Sequence, residues 1–188
     1  MEPSDQEVVR QTLQDRHMFR ILVQRYQDAL LRYIRRIGCT DPEAAKDILQ
    51  EAFIKVYSNL NDYDSSFSFS TWIYRIVYNE TMNHFRKQRN RPQAVTEESS
   101  VYLFEIIPDE LDIAGETDIK LQGRAVAVAL AKVKPQYREV LVLRFFENKS
   151  YDEIANILRI PNGTVATYLA RGKGELRALL QEHKPTGV

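Results

Sequence analysis

Residues 151–176 read YDEIANILRIPNGTVATYLARGKGEL. Ser150 immediately precedes them, and SYDE is a capping box in which Ser150 is the N-cap and Glu153 is the third helical residue. Apolar residues follow at helical spacing, IPNG interrupts the pattern, and a second apolar stripe begins at Val165. This order predicts a helix, a short break and a second helix. In a helix-turn-helix the second helix can lie in the major groove of DNA.

The second helix of this pair has little positive charge where it begins. GTVATYLA contains no basic residue, and Arg171 is the first one. The helical period turns six residues outward as candidates for contact with bases and phosphates, namely Thr164, Ala166, Thr167, Tyr168, Arg171 and Lys173. Helix pairs are common in all-α domains, so this spacing alone is a moderate signal.

Helical signals also fill the N-terminal half. An apolar face runs from Phe19 and ends at Gly38, and TDPE then restarts a helix with Asp41 as N-cap and Pro42 at the first helical position. An apolar stripe follows, made of Ala45, Ile48, Leu49, Ala52, Phe53, Val56 and Tyr57. Nothing indicates a sheet. The sequence predicts an all-α protein with two helical domains, residues 1–91 and 121–188, joined by an irregular linker over residues 92–120.

Composition limits what the chain can do. It has 188 residues, with 26 basic and 26 acidic side chains, so its net charge is zero. The charge is unevenly placed: residues 91–120 have 2 basic and 8 acidic side chains, whereas residues 121–188 have 11 and 6. Because phosphate neutralisation dominates affinity for nucleic acid, we expect weak DNA binding by the chain alone. The single cysteine and the three scattered histidines predict no disulfide framework and no metal site, and no cofactor is expected. The absence of a signal-peptide pattern predicts a cytoplasmic protein.

A polar stripe marks the helix expected over residues 71–87. Arg75, Asn79, Asn83 and Arg86 fall on one helical face, and Lys87 follows them. Arginine and asparagine can pair with base edges and phosphates in two hydrogen bonds. The preceding loop carries aromatic residues that can stack on unpaired bases, while Trp72 is expected in the core. A solvated helix face is about equally compatible with the stripe alone.

The helix before this loop has an acidic outward face. Its exposed positions are predicted to be Asp47, Gln50, Glu51 and Lys55, a set that is too acidic to lie on DNA. A solvated surface explains such a face, and a protein-binding surface explains it as well. No catalytic triad, Walker-type loop or dinucleotide fingerprint is present, so the sequence does not indicate an enzyme.

Three stretches in this order resemble the bacterial extracytoplasmic-function (group IV) sigma factors. They are AAKDILQEAFIKVY, FSTWIYRIVYNETMNHFRKQR and YREVLVLRFFENKSYDEIANILRIPNGTVATYLARGKGELR. The first two resemble sigma region 2 and the third resembles region 4, so the resemblance covers nearly the whole chain. It implies a non-enzymatic subunit that binds core RNA polymerase, recognises the −10 and −35 promoter elements, helps to open the promoter and is held inactive by an anti-sigma protein.

The resemblance also assigns roles to residues. It places Asp47, Gln50, Glu51 and Lys55 on the clamp of the largest polymerase subunit, and region 4 at the flap. It implies that the opened −10 element contacts the loop and the stripe, namely Tyr63, Asp64, Ser65, Ser66, Phe67, Arg75, Asn79, Asn83, Arg86 and Lys87. The six outward residues of the last helix, Thr164 to Lys173, are assigned to the −35 duplex.

Two other classes of protein also fit parts of the sequence. A stand-alone helix-turn-helix response regulator needs a receiver or ligand domain, normally with strands, and residues 1–90 show none. A small serine recombinase needs a nucleophilic serine among arginines on an α/β domain. Ser4 has Arg10 nearby, but no strand surrounds it.

Overall fold

The computed structural model describes residues 2–88 and 125–182, and in these ranges it contains eight α-helices and no strand. The helices are α1 (Asp5–Gln14), α2 (Phe19–Arg36), α3 (Pro42–Ser58), α4 (Phe69–Gln88), α5 (125–132), α6 (Pro135–Phe145), α7 (Tyr151–Leu158) and α8 (Asn162–Glu182). The all-α prediction is confirmed. The expected linker, residues 92–120, lies outside the described residues.

Local capping fixes where the N-terminal helices begin and end. Asp41 accepts a hydrogen bond from the backbone N–H of Glu43, 3.0 Å away, and Pro42 occupies the first turn of α3, as the sequence predicts. Gly38 follows α2 with φ +126°, a conformation that disfavours any residue with a Cβ.

Helices α2, α3 and α4 pack around a shared apolar core. Its fully buried side chains include Leu22, Leu30, Tyr33, Ile34, Ile48, Val56, Ile73 and Val77. Trp72 is 7 % exposed, so its predicted place in the core is confirmed. Cys39 is buried as well, and burial raises the pKa of its thiol to about 11, which keeps it protonated at neutral pH.

The C-terminal helices have sharply specified ends. The capping box at α7 is present, since Ser150 accepts from the backbone N–H of Glu153 and the Glu153 carboxylate accepts from that of Ser150. Arg159 closes α7 in the left-handed conformation, with φ 55°. On the inward face of α8, Val165, Leu169 and Gly172 are buried, while Leu176 and Leu179 are partly buried. A Cβ on Gly172 would lie 3.1 Å from Leu141 of α6, so this glycine permits close packing of α8 on α6.

The C-terminal helices also pack against the N-terminal ones. Helix α7 lies along α4, and the loop between α6 and α7 reaches α2. In that loop Glu147 accepts a hydrogen bond from Arg36 at 3.0 Å, and both side chains are almost completely buried. Burial lowers the pKa of Arg36, and the attraction of Glu147 partly opposes this effect.

The described ranges contain no helix that is long and apolar enough to cross a membrane. They also contain no cluster of three or more histidine, cysteine or acidic side chains that could hold a metal ion.

Candidate protein-docking and nucleic-acid interfaces

The outward face of α3 has the composition of a protein-docking surface. Asp47, Gln50, Glu51 and Lys55 are all exposed along this helix. Lys55 also reaches α4, where its ammonium lies 2.7 Å from a carboxylate oxygen of the buried Glu80. Asp47, Gln50 and Glu51 therefore project into solvent with no partner among the residues that the structure describes, and Lys55 is held to α4.

An apolar groove lies next to this face, between α2 and α3. It has a volume of about 480 Å³, and its apolar lining residues are Phe19, Val23, Leu49, Phe53, Ile54 and Tyr57. Ile54 is 58 % exposed and Tyr57 is 44 % exposed. Tyr57 thus belongs to the apolar stripe of α3 and is still largely exposed, because the stripe is wider than the surface that α2 covers. For the same reason, apolar spacing alone does not reveal the groove.

The loop before α4 is partly fixed by its own contacts. The Asp64 carboxylate accepts from the backbone N–H of Ser66, and this hydrogen bond lowers the pKa of Asp64. The Tyr63 hydroxyl donates to the carbonyl of Phe67 at 2.7 Å, and the Tyr63 ring packs on Trp72 with their centroids 5.4 Å apart. Ser65 and Ser66 are exposed. The loop thus presents a small polar turn.

The aromatic residues of this loop are mostly unavailable for stacking. Phe69 is the first residue of α4 and is 1 % exposed, and Tyr63 is half-buried against it. Phe67 is 45 % exposed. The expectation that several loop rings can stack on bases is therefore corrected. Tyr63 and Phe69 pack against Trp72, and Phe67 is the most exposed of the three loop rings.

The polar stripe of α4 divides into two parts. Toward the C-terminal end, Asn83 donates its amide N–H to Glu80 and accepts from the Arg86 guanidinium, while Arg86 and Lys87 are exposed. Asn79 is half-buried. At the other end, Arg75 donates to Asn156 of α7 at 3.2 Å. The structure therefore places Arg75 against the C-terminal helices, whereas Arg86 and Lys87 are open to solvent.

Most of the predicted residues of α8 present a solvent-facing surface. Ala166, Thr167, Arg171 and Lys173 are exposed, and Thr164 is half-buried. The Thr167 hydroxyl donates to the carbonyl of Gly163 at 2.9 Å. Tyr168 requires a correction, because its ring packs edge-on against Tyr137 with centroids 5.4 Å apart, which leaves it half-buried. The exposed side chains of α8 are thus small near the start of the helix and basic near its middle.

Comparisons with known proteins find a family match in each half of the chain. The Sigma-70 region 2 family matches residues 22–91, and the Sigma-70 region 4 family matches residues 123–176. The ECF RNA polymerase sigma factor SigW of Bacillus subtilis is 31 % identical over 177 residues, which cover 89 % of this chain and 91 % of SigW. The RNA polymerase sigma-H factor of Pseudomonas aeruginosa is 33 % identical over 183 residues, with 94 % of each chain covered.

The chain belongs to the extracytoplasmic-function sigma factor family. The family predicted from the sequence is confirmed. As a sigma factor, the protein directs transcription initiation by RNA polymerase at chosen promoters.

Solved structures show the same fold. CnrH in complex with the cytosolic domain of CnrY matches with a TM-score of 0.70 at 23 % identity, covering 97 % of this chain and all of CnrH. The sigma factor RpoE of Bartonella quintana, in complex with the anti-sigma factor NepR, matches with a TM-score of 0.66 at 18 % identity, covering 88 % of this chain and 98 % of RpoE. The arrangement of helices in this sigma factor is therefore one that solved structures also adopt.

Proposed function

We propose that this sigma factor binds core RNA polymerase through the outward face of α3 and binds promoter DNA through the loop before α4, through α4 and through α8. The observation that carries the proposal is the composition of the α3 face. An aspartate, a glutamine and a glutamate project from one helix beside an apolar groove, and no described element covers them. Exposed apolar surface rimmed by polar side chains is a feature of protein-binding sites.

The proposed roles along the chain follow the matched families. Residues 1–91 form the region 2 domain, residues 92–120 the linker and residues 121–188 the region 4 domain. The polymerase-binding set is Asp47, Gln50, Glu51 and Lys55, with Ile54 and Tyr57 adding apolar contact at the edge of the groove. Partners on the polymerase are its clamp and its flap. The protein itself is non-catalytic and acts in the cytoplasm, where polymerase and promoter are.

Exposed side chains of the loop and of α4 form most of the proposed −10 surface. Ser65, Ser66 and Phe67 of the loop, with Arg86 and Lys87 of α4, are open to a single strand, and Asn79 and Asn83 flank them. For the −35 duplex, the proposed base contact is made by Thr167, and the proposed phosphate contacts are made by Arg171 and Lys173. An anti-sigma protein is a further proposed partner, supported by the complexes in which the two structural relatives were solved.

Reconstitution with core polymerase tests the docking assignment. We expect Gln50→Ala combined with Glu51→Ala to weaken association with core polymerase by about tenfold or more, because polar residues at the centre of a docking face lose desolvated contacts. Helicity and the melting temperature should stay unchanged, since both side chains are exposed.

A matched control is available on the same helix. Glu43 is exposed in the first turn of α3 and pairs with the exposed Lys46. Glu43→Ala removes one negative charge, as Glu51→Ala does, and should leave polymerase binding intact. Unchanged association of the double variant, or equal weakening by the control, would contradict the docking assignment.

A further inference from the structure

A series of polar contacts joins the outward face of α3 to the basic C-terminal end of α4. The Lys55 ammonium of α3 lies 2.7 Å from Oε1 of Glu80, and the same oxygen accepts a hydrogen bond from the Asn83 amide at 3.2 Å. The carbonyl oxygen of Asn83 in turn accepts from the Arg86 guanidinium. Positions 80, 83 and 86 follow one another at a spacing of three along α4. These contacts therefore connect one proposed binding surface with the other.

The two neighbours of Asn83 determine how its side-chain amide is oriented. An ionised carboxylate only accepts hydrogen bonds, and a guanidinium only donates them. The NH2 group of Asn83 therefore faces Glu80, and its carbonyl oxygen faces Arg86. Glu80 is 7 % exposed and Asn83 is half-buried, so this orientation is set mainly by the fold and little by solvent.

Arg86 is the exposed end of this series on α4. Its guanidinium donates to Asn83, and its Nε donates to the backbone carbonyl of Met82, 3.4 Å away. Both acceptors are neutral, so they restrain the side chain without neutralising its charge. A guanidinium that is already held in this way loses less conformational entropy when it binds a phosphate.

We propose that Glu80 is a positioning residue for promoter binding, and that it acts through Asn83 to hold the Arg86 guanidinium in the orientation that contacts a promoter phosphate. The inference rests on the proposed contact of the C-terminal end of α4 with promoter DNA, and it adds a buried residue to that contact. Lys55 permits the role, because a buried carboxylate needs a partner of opposite charge. Glu80 thus improves binding to a polyanion although its own charge is negative.

The sign of the effect separates positioning from simple electrostatics. Glu80→Leu and Glu80→Gln each remove one negative charge near the proposed DNA surface, so charge alone predicts tighter DNA binding by both variants. Glu80→Leu also removes the shared acceptor oxygen, whereas the glutamine side chain keeps an equivalent oxygen. We expect Glu80→Leu to weaken promoter binding by about two- to tenfold, because Arg86 must then be ordered during binding. Glu80→Gln should bind at least as tightly as wild type.

Heparin-resistant complexes of the reconstituted holoenzyme provide the measurement. The probe is a labelled promoter fragment that wild-type holoenzyme selects from a library in which both promoter elements are randomised. The sigma factor is added in saturating excess over core polymerase, so that a change in docking through Lys55 does not alter the result. Circular dichroism should show an unchanged fold for Glu80→Leu, since Lys55 is 51 % exposed and water can replace its lost partner.

A double-mutant cycle tests whether Glu80 acts through Arg86. Arg86→Ala should weaken the complexes by about tenfold and lower the slope of their salt dependence by about 1. In that background Glu80→Leu should cause no further weakening, because the side chain that Glu80 positions is absent. Should Glu80→Leu fold poorly, Asn83→Ala interrupts the same series at a half-buried position, and its effect should depend on Arg86 in the same way.

Tighter or unchanged binding by Glu80→Leu would overturn the positioning role, and so would equal weakening by Glu80→Leu and Glu80→Gln. Additive weakening in the double-mutant cycle would also overturn it, because Glu80 would then act independently of Arg86. These results leave the proposed function standing as long as Arg86→Ala weakens the complexes. Wild-type affinity in Arg86→Ala would instead contradict the proposed DNA contact of Arg86, and the positioning role with it.

Discussion

Replacing Gly172 by alanine sets two effects of similar size against each other. Alanine in the interior of a helix is favoured over glycine by about 1 kcal/mol. The new Cβ, however, would lie 3.1 Å from Cγ and Cδ1 of Leu141 and 3.2 Å from Cβ of Tyr137. Leu141 is 2 % exposed, so it cannot turn away into solvent. Forcing an extra methyl group into a packed core costs about 1–3 kcal/mol. We expect Gly172→Ala to destabilise the protein by about 1 kcal/mol after the propensity gain is deducted.

Gly174 supplies a control two residues further along α8. A Cβ there meets nothing within 4 Å, so Gly174→Ala should gain the helix propensity alone, about 0.5–1 kcal/mol. The two variants should differ in melting temperature by about 4–8 °C in a chain of this size. Thermal unfolding followed by circular dichroism measures the difference. Hydrogen exchange of peptides from α6 and α8 shows whether the change in stability affects these two helices.

Equal stabilisation by both substitutions would refute the close approach of α8 to α6. We expect a functional consequence as well as a structural one, because Gly172 lies between Arg171 and Lys173, two exposed basic residues of α8. A wider spacing between α6 and α8 would shift both side chains relative to the rest of the helix-turn-helix. We therefore also expect Gly172→Ala, and not Gly174→Ala, to weaken initiation that depends on the −35 element.

Three further predictions follow from single contacts. Arg171→Ala should weaken −35-dependent initiation and lower the slope of its salt dependence by about 1, as run-off transcription over a salt series can show; an unchanged slope would remove its phosphate contact. Burial raises the pKa of Glu139, although Tyr78 and Arg138 oppose the shift, so its charged form destabilises the fold as the pH rises through that pKa. Glu139→Gln should accordingly have the higher urea midpoint at neutral pH, and its advantage should shrink on acidification. Ser150→Ala removes the capping box and should cost about 1 kcal/mol, seen as faster amide exchange in the first turn of α7.

The elements that sequence reasoning predicts best are those set by neighbours within a few residues. The start of α3 at Asp41 and Pro42 and the capping box at Ser150 were both predictable, because each depends on hydrogen bonds between residues at most three positions apart. Tyr57 shows the limit of the same reasoning. Apolar spacing shows that a residue lies on the apolar face of a helix, but only the width of the partner helix decides whether it is covered.

The candidate interfaces were predictable in composition and not in accessibility. The outward residues of α3 are exposed as expected, because no described element covers them, although Lys55 pairs with Glu80 of α4. Arg75 and Tyr168 differ from expectation because Asn156 and Tyr137, 81 and 31 positions away, occupy their surroundings. Contacts over such separations leave no mark in local periodicity. For the same reason the sequence gives no indication that Glu139, Glu147 and Glu153 accept hydrogen bonds from α4.

The low charge of the proposed DNA-reading helix, α8, has a physical reason in this arrangement. Residues 121–188 carry five more basic than acidic side chains, yet Glu139, Glu147 and Glu153 are turned toward α4 and away from the outward face of α8. Three of the six acidic side chains in this range thus contact α4, and Arg171 and Lys173 supply the positive charge near the middle of α8. Such a helix is expected to bind DNA weakly by itself.

Once polymerase holds both domains on one promoter, binding of the second domain to DNA becomes intramolecular. The high effective concentration then compensates for the phosphate contacts that α8 lacks. A more basic α8 would bind many sequences without polymerase, since phosphate contacts carry no sequence information. If α8 reads the −35 element as proposed, we therefore expect promoter choice to depend on the assembled holoenzyme.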